Sequence, residues 1–216
     1  MKSILIIGMG RFGRSLAMQF TELGDEVMAI DRSETRVNDV LAFVTNAMIG
    51  DATRENFMNT LGVSDYDLCV VSIGDDFQGS LEVTYLLKEL GAKYVVARAS
   101  SGVHRKFLLN NGADEVVYPE EELAEQTAIR LSNDSIFDYI ELDDNSAVYD
   151  VVIPKKWIGR TVAELNIRQE YGLNIIGERI NGKVVTEINP YEKLAEGKRL
   201  LVAGNIKNLN KCFGIR

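Results

Sequence analysis

The sequence predicts an α/β fold: a doubly wound parallel sheet followed by a small α+β C-terminal domain. Three observations point there. Short apolar, β-branched runs recur at a regular pace up to about residue 132, helical patterns that end at glycine separate them, and four more strand-like runs close the chain. Continuous apolar runs this short suit strands buried on both faces. Their alternation with helices through short connections means parallel pairing and right-handed crossovers.

The first run, Ile4–Ile7, enters the turn Gly8-Met9-Gly10-Arg11-Phe12-Gly13. Phe12, Leu16, Phe20 and Leu23 then fall on one face of a helix that Gly24 stops. Strands follow at Glu26–Ile30, Thr45–Ile49, Leu68–Ile73, Tyr94–Ala97 and Glu115–Tyr118. Two of the helices between them, "RENFMNTLG" and "FQGSLEVTYLLKELG", also stop at glycine, Gly62 and Gly91. The second is apolar beyond one stripe, which suits sheet packing plus a subunit contact. These units make a domain over 1–132. Residues 133–146 carry five acids and no base, yet Ile136, Phe137, Tyr139 and Ile140 make them too apolar for a free linker. They read as a structured crossover. Beyond it "AVYDVVIP", "NIIGERI", "KVVTEI" and "RLLVAG" read as strands, with a helix near "TVAEL". This second domain, 147–216, has only about 70 residues, near the lower limit for a core that stands alone. A dimer partner would help it.

Bulk properties narrow the function. The 216 residues carry a net charge of −8, which disfavours a general affinity for nucleic acid or an anionic bilayer. Cys69 and Cys212 lack metal-ligand spacing, and Cys69 lies in an apolar run; this usage fits a reducing cytosol. The N-terminal apolar run is too short for a signal peptide and is broken by glycine. No apolar run approaches the ~20 residues that span a bilayer. A membrane role is expected only through a partner.

The glycine turn is G-x-G-x-x-G in the setting that gives it meaning, after a strand and at the start of a helix, with Asp31 closing the second strand. This is a Rossmann-like phosphate grip. Gly8, Gly10 and Gly13 permit the tight turn and close backbone approach, and the helix N-terminus offers free N–H groups to an anion. Asp31 would accept a ribose diol and repel a 2′-phosphate, although Arg32 beside it blurs that choice. The plain alternative is a glycine turn with no ligand. Asp51, with Ala52 and Thr53, follows the third strand; it suits an adenine amino group or a helix N-cap equally. Ile73, Gly74 and Asp75 lie at the same carboxyl edge after the fourth strand, where Asp75 and Asp76 would also favour the next helix. Arg98 and Glu120 end later strands, with a salt bridge and a first-turn acid as their structural alternatives. His104, the only histidine, reads as a solvated helix position. A dehydrogenase needs a substrate domain and a proton donor, and the second domain offers no histidine. The expectation is a nucleotide site without an enzyme.

Together "IIGMGRFGRSLA", "AIDRSETRVN", "IGDAT", "LCVVSIGDDFQGSLEVTYLLKELGA", "VVARASS" and "GADEVVYPEEELAEQTA" resemble the regulator of potassium conductance (RCK) domain, as in the Ktr/Trk potassium-uptake regulators. The tail "GRTVAELNIRQEYGLNIIGERINGK" is similar to that family's C-terminal ligand-binding subdomain. One copy of each part resembles the single-domain Ktr type. The resemblance implies a cytoplasmic regulatory subunit that binds ATP or ADP, or NADH in some members. It implies assembly into a homo-oligomeric ring, commonly an octamer, beneath a membrane potassium transporter. Gly8, Gly10, Arg11, Phe12 and Gly13 match the phosphate loop. Arg11 matches the arginine that reaches the terminal phosphates across a dimer interface. Asp31 matches the ribose ligand, and Asp51–Thr53 the adenine segment. Arg98 falls at the matching strand end, and Glu120 matches a glutamate that helps hold a cation, divalent or monovalent, near the ATP γ-phosphate. Arg168, Asn174 and Ile176 fall where several relatives bind cyclic di-AMP. A triphosphate carries more charge than a pyrophosphate diester, and the planar fork of Arg11 suits its terminal phosphates. Two other classes stand beside this one: a nicotinamide-dependent oxidoreductase, supported by the Rossmann pattern alone, and a dinucleotide redox sensor with another partner.

Overall fold

A computed structural model describes residues 1–214. The chain forms two compact units, Met1–Glu120 and a second beginning at Glu121. The first is built on β1 (Ser3–Ile7), β2 (Glu26–Asp31), β3 (Asn46–Ile49), β4 (Leu68–Val71), β5 (Val95–Arg98) and β6 (Glu115–Val117). These pair in parallel in the order β3-β2-β1-β4-β5-β6, the doubly wound order whose reversal lies between β1 and β4. Helices α1 (Arg11–Glu22), α2 (Glu34–Asn38), α3 (Glu55–Met58), α4 (Phe77–Glu89) and α5 (Gly102–Asn110) link the strands, and α6 (Pro119–Leu131) follows β6 into the second unit.

Alternation along β1 divides the core between the two sheet faces. Leu5 and Ile7 join one cluster with Val71, Leu87 and Leu108; Ile4 and Ile6 join another with Ala17, Val27 and Val40. Each fully buried Ile or Leu contributes roughly 1.5–3 kcal/mol. Leu16 and Phe20 of α1 pack on the second cluster, but Leu23 is a C-cap and stands exposed.

His104 corrects the sequence expectation. It is fully buried, because α5 packs against α4 and supplies its imidazole with hydroxyl partners at Ser80 and Ser100.

The second unit is an antiparallel sheet in the order β10-β9-β11-β8-β7, with β7 (Ile136–Asp143), β8 (Ser146–Val152), β9 (Leu173–Ile180), β10 (Lys183–Val185) and β11 (Arg199–Asn205). Helices α7 (Val162–Leu165), α8 (Ile167–Tyr171) and α9 (Ile206–Phe213) complete it. Residues 133–146 are not a crossover: they hold β7, an edge strand. Its core-facing Ile136 and Tyr139 are spaced by a bulge, and its acids lie on the exposed positions. Ala147, Tyr149 and Val151 of β8 enter the core with Trp157, Leu173, Leu200 and Leu209. Asp150, between Tyr149 and Val151, is nevertheless only 3% exposed. Arg179 bonds its Oδ2, and Arg199 Nε stands 3.6 Å from its Oδ1.

Candidate functional site

The loop after β1 turns at Gly8, whose φ of +99° favours glycine and whose N–H bonds the Ile30 carbonyl at 2.7 Å. A Cβ on Gly13 would stand 1.9 Å from the Gly8 carbonyl oxygen, so only glycine lets α1 approach the loop. Gly10 caps α1 and has nothing within 4 Å of where a Cβ would be. The open space beyond it belongs to a cavity of about 690 Å³ along the carboxyl edge of the sheet.

Every predicted residue of the first unit lines this cavity except Gly13: Gly8, Gly10, Arg11, Phe12, Asp31, Arg32, Asp51, Ala52, Thr53, Ile73, Gly74, Asp75, Arg98 and Glu120. Gly13 lies behind the loop it braces. The parallel strands bring the segments together, because each strand's carboxyl end faces the same edge. The lining also includes Ser15, Arg36, Gly50, Ser72 and Asp76, which sequence reasoning missed or took as structural. Arg36 carried a signal, since a basic residue in the first helical turns after β2 falls beside Asp31.

Asp31 is 5% exposed and holds two backbone amides: Met9 N–H to Oδ2 at 2.7 Å and Ser33 N–H to Oδ1 at 2.8 Å. Arg36 Nη1 stands 3.5 Å from Oδ2, so the carboxylate is partly neutralised. Arg32 instead approaches Asp76 at 3.9 Å. Asp51 caps no helix. Its Oδ1 accepts the Thr53 hydroxyl at 2.7 Å and the Thr53 N–H at 3.2 Å, and the hydroxyl bond chiefly lowers its pKa. Asp76 is the N-cap of α4, accepting the Gly79 N–H at 2.9 Å. Arg98 donates to Glu120, joining two predicted residues in one ion pair. Burial pushes the Glu120 carboxyl up, but its backbone hydrogen bond, Arg98 and Arg11 outweigh that and hold it low.

This lining fits a phosphate-bearing ligand. It has four arginines and the N-terminus of α1, with no acid in that helix's first turn. Two of its buried polar atoms, Ser72 Oγ and Arg98 Nε, have no hydrogen-bond partner among the described residues. Such atoms are costly unless something else satisfies them. Among the described residues, neither histidine, cysteine nor lysine lines the cavity. Among the described residues no group of three or more His, Cys, Asp and Glu could hold a metal ion, and no helix is long and apolar enough to cross a membrane.

In the second unit Arg168 and Asn174 line a shallow depression of about 210 Å³ with Asn166 and Ile175. Ile176 is not part of it. The register of β9 against β11 passes from Ile175 to Gly177, which leaves Ile176 as the extra residue of a bulge, 40% exposed.

The chain matches the TrkA-N domain family over residues 4–119 and the TrkA-C domain family over residues 147–213. Ktr system potassium uptake protein C of Bacillus subtilis (strain 168) is 33% identical over 210 residues, covering 97% of this chain and 95% of that protein. Among solved structures, the GsuK RCK domain superposes with a TM-score of 0.70 at 18% identity, over 99% of this chain and 47% of that one. A GsuK channel bound to NAD gives 0.70 at 20% identity, over 96% and 38%. At these identities the structural likeness is one of fold, and this chain spans less than half of either GsuK chain. The two matched domains, the doubly wound strand order and a relative one-third identical across nearly its whole length lead to one conclusion: the chain belongs to the TrkA-N/TrkA-C family, alongside a Ktr potassium-uptake protein.

Proposed function

We propose that this chain is a nucleotide-sensing regulatory subunit of a membrane potassium-uptake system, acting at the cytoplasmic face through its transporter partner. The observation that carries the proposal is the carboxyl-edge cavity, where a glycine turn, a helix N-terminus and four arginines converge. In this reading the loop from Gly8 to Gly13 takes the phosphates and Asp31 the ribose. Asp51 to Thr53 lie by the base, and Arg11 answers the terminal phosphates, from a neighbouring subunit. Glu120, with those phosphates, would share a cation.

ATP and ADP fit this charge distribution best, and NAD(H) is the alternative that the NAD-bound GsuK channel supports by fold analogy. Regulation requires that the nucleotide contact two assembly states differently. Exposed apolar residues on α4 and α5, namely Phe77, Tyr85, Val103 and Phe107, offer the surface for a homo-oligomer, a dimer and at larger scale an octameric ring. The depression at Arg168 and Asn174 is the place for a second ligand of the cyclic di-AMP kind. Calorimetric titration with ATP, ADP, NADH and NADPH, followed by potassium flux in liposomes with the transporter, tests the proposal. Saturable adenine-nucleotide binding that changes flux is expected. Tight NADPH binding with no ATP or ADP binding would overturn it.

A further inference from the structure

Arg98 ends β5 with its side chain only 18% exposed, in a slot between a loop and a ring. A Cβ on Gly74 would stand 2.0 Å from its Nη1, so glycine is what admits the guanidinium there. The Phe12 ring lies 6.0 Å away, on the phosphate loop. Nη2 is held by the Glu120 carboxylate, but Nε is buried with no acceptor among the described residues. Half of the fork is therefore satisfied and half is not, on the wall of the candidate nucleotide cavity.

Glu120 is the weaker member. Its side chain is 56% exposed, and such pairs are screened and loosely held. It is also the second residue of α6, no residue of which is fully buried, and this ion pair ties that helix's first turn to β5. The two compact units divide between Glu120 and Glu121, which makes α6 the segment that starts in one and continues in the other.

We propose that the Arg98–Glu120 ion pair is a ligand-operated latch: an anionic group of the bound nucleotide takes Arg98 from Glu120, and the first turn of α6 loses its tether to β5. A phosphate can offer two oxygens to the planar fork and so reach the orphaned Nε as well, which the single Glu120 contact does not. The exchange is nearly even in charge: one anion replaces another on the same guanidinium, and the freed carboxylate turns to water or, with ATP, to the cation it would share with the terminal phosphates. Ligand occupancy is thereby converted into freedom of the helix that joins the units. This rests on the nucleotide reading above.

The test is calorimetry with ADP on the full chain in EDTA at fixed ionic strength, for the wild type, E120Q, R98Q and the double variant. Removing the competitor should tighten ADP binding about threefold in E120Q, on the scale of an exposed pair. R98Q should weaken it about tenfold or more, and E120Q should then change nothing in the R98Q background. Amide exchange across α6 should quicken on ADP binding in the wild type and not in E120Q, where the tether is already gone. That exchange comparison needs only the exposed-site variant, and decides the matter if R98Q is too unstable to assay. An E120Q gain that persists without Arg98 would mean simple repulsion and overturn the latch. So would weaker binding in E120Q, or α6 exchange indifferent to ADP. A wild type that binds neither ADP nor ATP would defeat the nucleotide reading itself, and the latch with it.

Discussion

The Nε2 of His104 lies 2.7 Å from the Ser80 hydroxyl, in a ring that solvent does not reach. The backbone N–H of Ser100 donates to Nδ1 at 3.2 Å, and the Ser80 hydroxyl donates onward to the Phe77 carbonyl at 2.8 Å. Nδ1 is therefore the acceptor and Nε2 carries the proton, which is the neutral ring. Protonating Nδ1 would set two donors against each other in a buried space. Burial lowers the His104 pKa accordingly.

Acid stability follows with a definite sign. A histidine whose folded pKa is depressed contributes stability that is fully present above its unfolded value, near ~6.5, and is lost as pH falls from there through the folded value. Carboxylates held low, such as Asp51 and Asp114, lose their contribution only further down, below about pH 4. Urea unfolding from pH 8 to 5 should show wild-type stability falling in the upper window. His104→Asn should flatten that fall; an unchanged slope would count against the neutral ring.

Gly10 and Gly13 should separate binding from folding. Gly13→Ala places a methyl against the Gly8 carbonyl and should destabilise by about 1–3 kcal/mol, as overpacking does. Gly10→Ala meets nothing and should leave the melting temperature nearly unchanged, while its methyl enters the cavity and weakens ADP binding about tenfold. Melting curves and calorimetry on both variants make the comparison.

Arg11 should read the terminal phosphate. It is exposed at the start of α1, and among the described residues it has no ion-pair partner within 4 Å. Arg11→Ala should weaken ATP more than ADP, by about tenfold or more, the scale of one charge-assisted contact. Potassium flux in liposomes should then respond alike to both nucleotides. A full ATP response from an assembled mutant would move the signal elsewhere.

Asp150→Ala should destabilise the second unit without touching the first. Removing the carboxylate leaves Arg179 and Arg199 facing each other from the paired strands β9 and β11. Breaking a buried pair on one side costs about 3–5 kcal/mol, and the partial exposure of both arginines puts this case near or below the lower end. Near-ultraviolet signals of Trp157, in the second core, should report it. Pairing Asp150→Ala with Arg179→Ala should recover part of the loss.

Assembly is checked by light scattering at micromolar concentration. Phe77 and Tyr85 lie eight residues apart on α4, and Val103 and Phe107 lie four apart on α5, so each pair shares one helix face; Phe77 meets Phe107 edge to face at 5.8 Å. A particle of at least two chains is expected, and Phe107→Glu should shift it toward ~24 kDa. A wild-type monomer would contradict the proposed ring.

The six parallel strands were legible because strands buried on both faces write continuous apolar runs. Most of the cavity was legible for a related reason: in a parallel sheet, the residues after each strand share an edge, so chain position predicts neighbourhood. What failed depended on partners distant in sequence. His104 sits among polar neighbours, and nothing nearby announces Ser80, 24 residues earlier. β7 hid because Phe137, Ile140 and Leu142 put apolar residues on its exposed positions too, and its bulge breaks the period of two. Ile176 was displaced by a second bulge that depends on β11. Ser72 gave no signal, since a lone serine acquires meaning only when burial leaves its hydroxyl without a partner.

Asp31 spans two strand ends, one oxygen bracing the Met9 amide and the other the Ser33 amide. Drift in sugar preference therefore has no single-step route through this position. Any replacement that would welcome a 2′-phosphate gives up the paired oxygens and so releases at least one of the two amides, slackening the turn before a new ligand gains a foothold. Arg32 and Arg36, each more than half exposed, bear no such duty toward the backbone. A lineage altering its ligand would vary those two arginines around a fixed carboxylate, and sequences that change Asp31 should carry a second substitution that ties down the Met9 amide by other means.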